Sequence, residues 1–211
     1  MVNFEVAKKN LKKGFTLLEL LIVIGILAIL ATVTVLVLNP AELLRHASDS
    51  QRVSDLATLH GALALFLTTV SSAQLDLDFV SNRCLGNGGV VTCFVDNTIV
   101  NGTCNGAFST PTAEQGLITK GISGNDGWLP VNFNAIPGGS PIPALPRDPT
   151  SDATRFYGYM CDVTGGVLNY ELVTTLESVK YRDTDDLDGK DGGPIGTILF
   201  YEIGTDPGLN L

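Results

Sequence analysis

The chain has 211 residues and a formal net charge of −9, a balance that argues against holding a nucleic-acid backbone by bulk charge and describes a solvated, self-repelling surface. It holds no GxSxG, HExxH, phosphate-binding glycine loop or CxxC, and only two histidines are available for acid–base work, so no catalytic residue and no required cofactor is expected. No internal repeat is present, and residues 79–211 are enough for one domain with its own core.

The leader is basic. Residues 1–14 carry Lys8, Lys9, Lys12 and Lys13 against Glu5 alone, which keeps that end in the cytoplasm and sends the rest outward. Without this leader and its net +3, the chain stands at −12. Phe15 to Leu38 follows, 24 residues with Glu19 as the single charge. As a helix it measures about 36 Å, enough to cross a hydrocarbon core of about 30 Å. A secretory signal peptide fits poorly, because its apolar region is shorter and ends in a small-residue cleavage site. Glu19 is costly in such a run, about 2.5–3.5 kcal/mol near a bilayer centre and less toward an end. A purely structural reading exists, since Thr16-x-x-Glu19 is a capping box. It leaves the Gly14–Phe15 junction and the lysine leader unexplained.

Residues 12–30, KKGFTLLELLIVIGILAIL, resemble the N-terminus of type IV pilins and type II secretion pseudopilins. The resemblance implies cleavage after Gly14 by a prepilin peptidase and N-methylation of Phe15. It implies that Glu19 pairs with the N-terminal amine of a neighbouring subunit. A carboxylate and an ammonium that meet in an apolar setting offset each other's desolvation, whereas either alone is penalised. It implies a single-pass precursor in the inner (cytoplasmic) membrane with its head outside. An inner-membrane assembly platform then builds copies of the chain into a helical filament, extracellular or periplasmic. The implied fold is α+β, with a long N-terminal helix packed on an antiparallel β-sheet head.

Asn39-Pro40 interrupts the helix with a kink or local unwinding, and in the resembled family the long helix bends or melts near a proline in this region. Val53, Leu56, Leu59, Leu63, Phe66 and Val70 then form an amphipathic stripe. Arg45, Asp49, Arg52 and Asp55 are expected on other faces, pairing at i+3 or i+4. The divisions expected are a cleaved leader at 1–14, a stem helix at 15–38, its amphipathic continuation at 39–72 and a head at 73–211. His46 and His60 are not at metal-ligand spacing and read as surface or packing residues.

Residues 73–127 read as loops and hairpins with a short strand at Val90–Val95, and Asn101-Gly102-Thr103 is a weak glycosylation sequon. Cys84, Cys93, Cys104 and Cys161 all lie on the exported side, which argues for two disulfides rather than zinc. Four cysteines allow three connectivities. The pairing expected is Cys84–Cys93 across a Gly-rich loop, with Cys104–Cys161 tying that region to the sheet. Residues 128–149 hold six prolines and are expected as an ordered loop against the sheet, anchored by Trp128 and Phe133, rather than as a linker. Strands are expected at Arg155–Cys161, Val167–Leu176 and Thr197–Ile203, with Gly165-Gly166 as a hairpin turn.

Asp183, Asp185, Asp186, Asp188 and Asp191 fall within nine residues, beside glycines. Hard oxygen ligands near tight turns suit calcium, although the register is not that of an EF-hand. A solvated acidic loop is the other reading. LPRDP with the later DG..GG is similar to the C-terminal region of type II secretion pseudopilins, where the loop before the last strand binds calcium. Thr150 stands where that family has a tryptophan. The function expected is a filament subunit. The alternatives are a pseudopilin driving protein export and, more distantly, a membrane-anchored extracellular binding domain that would keep its leader.

Overall fold

The computed structural model describes residues 14–76, 84, 92–96, 112–115, 120–124, 126–152, 154–163, 166–184, 187 and 200–205. Two compact units divide the chain, Met1–Leu43 and Leu44–Leu211.

Hydrophobic patterning writes two different helices. Helix α1 (Leu17–Leu38) is apolar on every side and has no buried face. Helix α2 (Pro40–Thr69) carries a stripe. The predicted interruption between them is a single residue. Asn39 is left-handed, with φ 38° and ψ 75°, a conformation asparagine tolerates better than most residues. Its carbonyl accepts the first α2 bonds, from the backbone N–H of Glu42 and Leu43. Pro40 opens α2, where its missing N–H costs nothing. The helix stops at Thr69, three residues short of the predicted end.

In the second unit, the α2 stripe meets a sheet. Leu56, Leu59, Leu63 and Phe66 are buried as the spacing predicts, while Val70 packs on the same cluster and is only partly buried. The sheet has five strands in the order β2-β1-β3-β4-β5: β1 (Thr92–Val95), β2 (Thr112–Gln115), β3 (Tyr157–Asp162), β4 (Asn169–Thr175) and β5 (Phe200–Gly204). The β1, β3, β4 and β5 strands pair antiparallel. The register aligns Phe94, Tyr159, Leu172 and Ile203 in one row across them. All four belong to or pack against the core that α2 covers. Strand β2 departs from the expected antiparallel sheet. It runs parallel to β1 in a stretch read as loop. Thr-Ala-Glu-Gln has no strand periodicity, so backbone pairing with β1 places it, not its own propensity.

The proline-rich segment is ordered and packs as expected. Trp128 and Phe133 are fully buried. The Trp128 indole N–H donates to the Pro146 carbonyl at 2.9 Å, and Phe133 meets Phe66 edge-on. Leu145 N–H donates to the Lys120 carbonyl and Phe133 N–H to the Ile122 carbonyl, which ties both ends of the segment to residues 120–122. Ile136-Pro137-Gly138-Gly139 closes as a β-turn. Pro137 suits its second position, and Gly138, with φ 96°, supplies the left-handed third.

The expected disulfide pairing is wrong. Cys84 is bonded to Cys161, across 77 residues of sequence, and not to Cys93. A covalent link from the loop region directly to β3 replaces the local loop closure that sequence proximity favoured. Cys93 is disulfide-bonded as well, and Cys104 lies outside the described residues, as does the Asn101 sequon.

Two of the α2 charges are not on the faces where the sequence placed them, although they pair with each other at i+3 as expected and Arg45 is exposed. Asp49 and Arg52 sit on the buried face, both with no exposure. Arg52 donates through Nε to Asp148 at 2.7 Å and through Nη1 to Asp49 and Glu177, each at 2.7 Å. Its Nη2 reaches Asp148 at 3.1 Å and the Thr150 hydroxyl at 3.2 Å. Asp49 in turn accepts from the backbone N–H of Glu177 at 2.9 Å and Ser178 at 2.6 Å. Burial alone would lower the Arg52 pKa, but its bonds to Asp148, Asp49 and Glu177 outweigh that and raise it. Asp96, at the end of β1, extends the network by accepting from the backbone N–H of Asp148 at 2.6 Å and of Tyr157 at 2.9 Å. Asp55 is half-buried and accepts from the Tyr157 hydroxyl.

Asp96 makes this network sensitive to pH. Burial pushes its carboxyl up to about 6, against the two backbone N–H groups that favour the charged form. The folded state therefore holds a proton between about pH 4 and 6 that the unfolded chain has released. This contribution to stability is complete below the ordinary value of 3.8 and is lost as pH rises through about 6. Urea melts at pH 7 and pH 5 should show the wild type gaining about 1 kcal/mol over Asp96→Asn on acidification. Parallel shifts in the two proteins would remove Asp96 as the source.

Candidate processing and assembly site

Gly14, Phe15 and Thr16 precede α1 without helical structure. Phe15 is 84% exposed. A Cβ at Gly14 would meet nothing within 4 Å, and Gly14 is not among the positive-φ residues. Neither crowding nor backbone strain among the described residues requires glycine there.

Thr16 is the N-cap of α1. Its extended backbone (φ −83°, ψ 152°) turns the hydroxyl back over the first turn, where it accepts from the Glu19 N–H at 3.2 Å. Thr16 thus satisfies one of the unpaired donors of the helix start, and Glu19 sits where the helix dipole favours a negative charge. The cap uses the Glu19 backbone. Among the described residues its carboxylate has no partner. The capping role and an intermolecular role for Glu19 are therefore compatible, since they use different atoms.

The rest of α1 has no polar demand left over. The hydroxyls of Thr32 and Thr34 donate to the carbonyls of Ala28 and Ala31, inside the helix. Leu17–Val35 has a mean hydropathy of 2.7 and none of it is buried. The 22 residues of α1 give about 33 Å of helix, the length of one membrane crossing. Glu19 is the single charge along an apolar cylinder that the described residues leave uncovered.

The other candidates fall elsewhere. Pro40 begins α2 as described. Lys180–Thr184 forms a turn of π-helix that includes the Asp183 backbone, whereas the Asp183 side chain and Asp185, Asp186, Asp188 and Asp191 lie outside the described residues. Among the described residues, no group of three or more acidic, histidine or cysteine side chains converges as metal ligands would. His46 stacks on Tyr181 with ring centroids 5.2 Å apart, and His60 Nδ1 lies 3.0 Å from the Tyr170 hydroxyl, so both histidines are packing residues. The Asp49–Arg52 cluster is the feature the sequence reading missed. Its signal was Asp49-x-x-Arg52 continuing the register of Leu56 and Leu59 on α2, visible only once charges are allowed on an apolar stripe.

Residues 9–35 match the prokaryotic N-terminal methylation motif. No curated protein and no solved structure matches the chain. The motif is the cleavage and methylation signal of pilin-like and pseudopilin precursors. It fits a membrane-anchored precursor and implies processing by a prepilin peptidase.

The cap yields a local test. Thr16→Ala leaves the Glu19 amide unpaired and should destabilise the start of α1 by about 0.5–2 kcal/mol. In detergent micelles, amide exchange at Glu19 should accelerate while exchange past Gly25 stays unchanged. Unaltered exchange at Glu19 would mean the hydroxyl bond does not hold the helix start.

Proposed function

We propose that this chain is a structural subunit of a type IV pilus-like filament, without enzymatic activity. A prepilin peptidase cuts it after Gly14 and methylates Phe15, and it assembles through α1. The observation that carries this reading is the conjunction at the stem end. A matched methylation motif begins an uncovered apolar helix whose single charge, Glu19, has no partner for its carboxylate among the described residues. In a filament, α1 is covered by other copies of itself, which removes its apolar surface from lipid or water. Glu19 then fixes register, because a misplaced subunit leaves it unpaired among apolar side chains.

Two further observations support this reading. The folded unit carries a disulfide, which suits a head that matures outside the cytoplasm. Among the described residues, its buried charged cluster serves packing: Arg52, Asp49, Asp148 and Asp96 bond to one another and to the backbone. A type II secretion pseudopilin would share the processing and assembly steps. The similarity of Leu145–Pro149 and the acidic segment to that family favours it as the second reading. Loss of surface fibres in a deletion strain would point to the pilus, and accumulation of undelivered exported proteins to the pseudopilin.

The first test is the intact mass and N-terminal peptide of the protein from its native membrane or filament fraction. The expected chain begins at N-methylated Phe15. A chain still beginning at Met1 would sink the filament reading. Given correct processing, Glu19→Ala should still be cleaved yet fail to enter filaments, with shearable fibres lost on immunoblots.

A further inference from the structure

We infer that the Asp49–Arg52 turn of α2 is a tension clasp, the place where pull on the stem enters the folded unit and is resisted. This rests on the filament reading, in which the stem is drawn on while the head must stay folded.

The order of burial along α2 is the first observation. The helix enters the second unit at Leu44. Leu44, Arg45 and Ala47 are exposed, and His46 is half-buried against Tyr181. Asp49 and Arg52 are the first fully buried positions, and Leu56, Leu59, Leu63 and Phe66 come after them. A pull arriving along the chain from α1 therefore reaches the ionic cluster before the apolar stripe.

The wiring of that turn is the second observation. Arg52 holds Asp148 and Glu177, and Asp49 holds the backbone N–H of Glu177 and Ser178, just past β4. Asp148 is tied through Asp96 to the backbone of Tyr157, the first residue of β3. Arg155, just before that strand, holds the outer oxygen of Glu177 at 3.1 Å. One helical turn is thus joined to segments 96 to 129 residues away.

The two kinds of contact answer a pull differently. Ionic hydrogen bonds are directional and weaken steeply when lengthened or bent. Displacing this turn also separates the buried Arg52 guanidinium from Asp148 and Glu177, and Asp49 from the backbone N–H of Glu177 and Ser178, which is costlier than losing an exposed pair. Apolar contacts are non-directional, and a stripe sliding along its axis meets other apolar surface. A buried ion cluster adds little net equilibrium stability over a well-packed apolar one. Its distinctive property here is a steep resistance to displacement at the point of entry. Arginine is required for this, because its rigid fork reaches several carboxylates at once and a lysine ammonium does not.

The test stretches the full-length chain in detergent micelles between N- and C-terminal tags at constant load. It compares the wild type, Arg52→Lys and Leu59→Ala, with the equilibrium stability of each measured in urea. At matched loss of equilibrium stability, Arg52→Lys should shorten the loaded lifetime of the folded unit about tenfold more than Leu59→Ala does. Lifetimes that simply follow equilibrium stability would overturn the clasp. Should Arg52→Lys fail to fold, Glu177→Gln weakens one arm of the cluster with little change in shape and decides the same comparison. The loaded lifetime belongs to the single chain, so finding Met1 at the native N-terminus would remove the filament reading without altering this result.

Discussion

Arg52 is the group on which the folded unit's arrangement turns. Its guanidinium meets Asp49, Asp148 and Glu177, contributed by α2, the proline-rich segment and the chain just past β4. Three carboxylates around one cation leave an excess of negative charge, and the backbone donors of Thr150, Ser151, Glu177 and Ser178 offset it by bonding to Asp148 and Asp49. An apolar stripe alone can shift by a turn along the sheet and still bury much the same area. A fork that must meet three carboxylates cannot. The cluster therefore fixes register, while Leu56, Leu59, Leu63 and Phe66 supply most of the area removed from water.

The two units of the chain handle charge in opposite ways. The second unit takes Asp49, Arg52, Asp96 and Asp148 inside and bonds each of them to a partner from a distant segment. The first exposes a cylinder of leucine, isoleucine and valine, with one carboxylate placed at the end where the helix start and Thr16 accommodate it. An exposed apolar area of that size is not the surface of a soluble monomer. Lipid or other apolar helices would cover it, and the matched motif fits a membrane-anchored precursor.

Periodicity made much of this legible in the sequence. The all-round apolar run of α1, the stripe on α2 and the alternation of Tyr170 and Leu172 in β4 each follow from burial acting on side chains at a helical or extended spacing. The interleaving of apolar residues with prolines also read correctly, because Trp128 and Phe133 had to be buried somewhere. Three features did not read. Strand β2 forms through backbone pairing, which leaves little trace in Thr112–Gln115. Cys84 reaches Cys161 rather than its neighbour in sequence because the fold, not loop length, sets which sulfurs meet. Asp49 and Arg52 are charged, and a hydropathy pattern assigns charges to solvent unless their partners are known. Apart from their own i+3 pair, which the spacing anticipated, those partners lie 96 or more residues away.

Processing at Gly14 alters the electrostatics of the stem in the proposed function. The leader removes a net +3 when it leaves, and the cut creates an ammonium at Phe15 four residues before Glu19. The precursor thus carries a strong cytoplasmic anchor of lysines that holds its orientation. The mature stem carries one positive and one negative group, and so no net charge. An apolar helix of zero net charge, whose two charged groups lie at its N-terminal end and can be satisfied by copies of itself, no longer depends on the cytoplasmic face to hold it. In the proposed filament the same cleavage would make Glu19 less costly to bury, because a neighbouring copy's new N-terminus would supply the partner it lacks among the described residues. Extraction from the membrane then costs the lipid contacts of α1 and recovers them as contacts between stems.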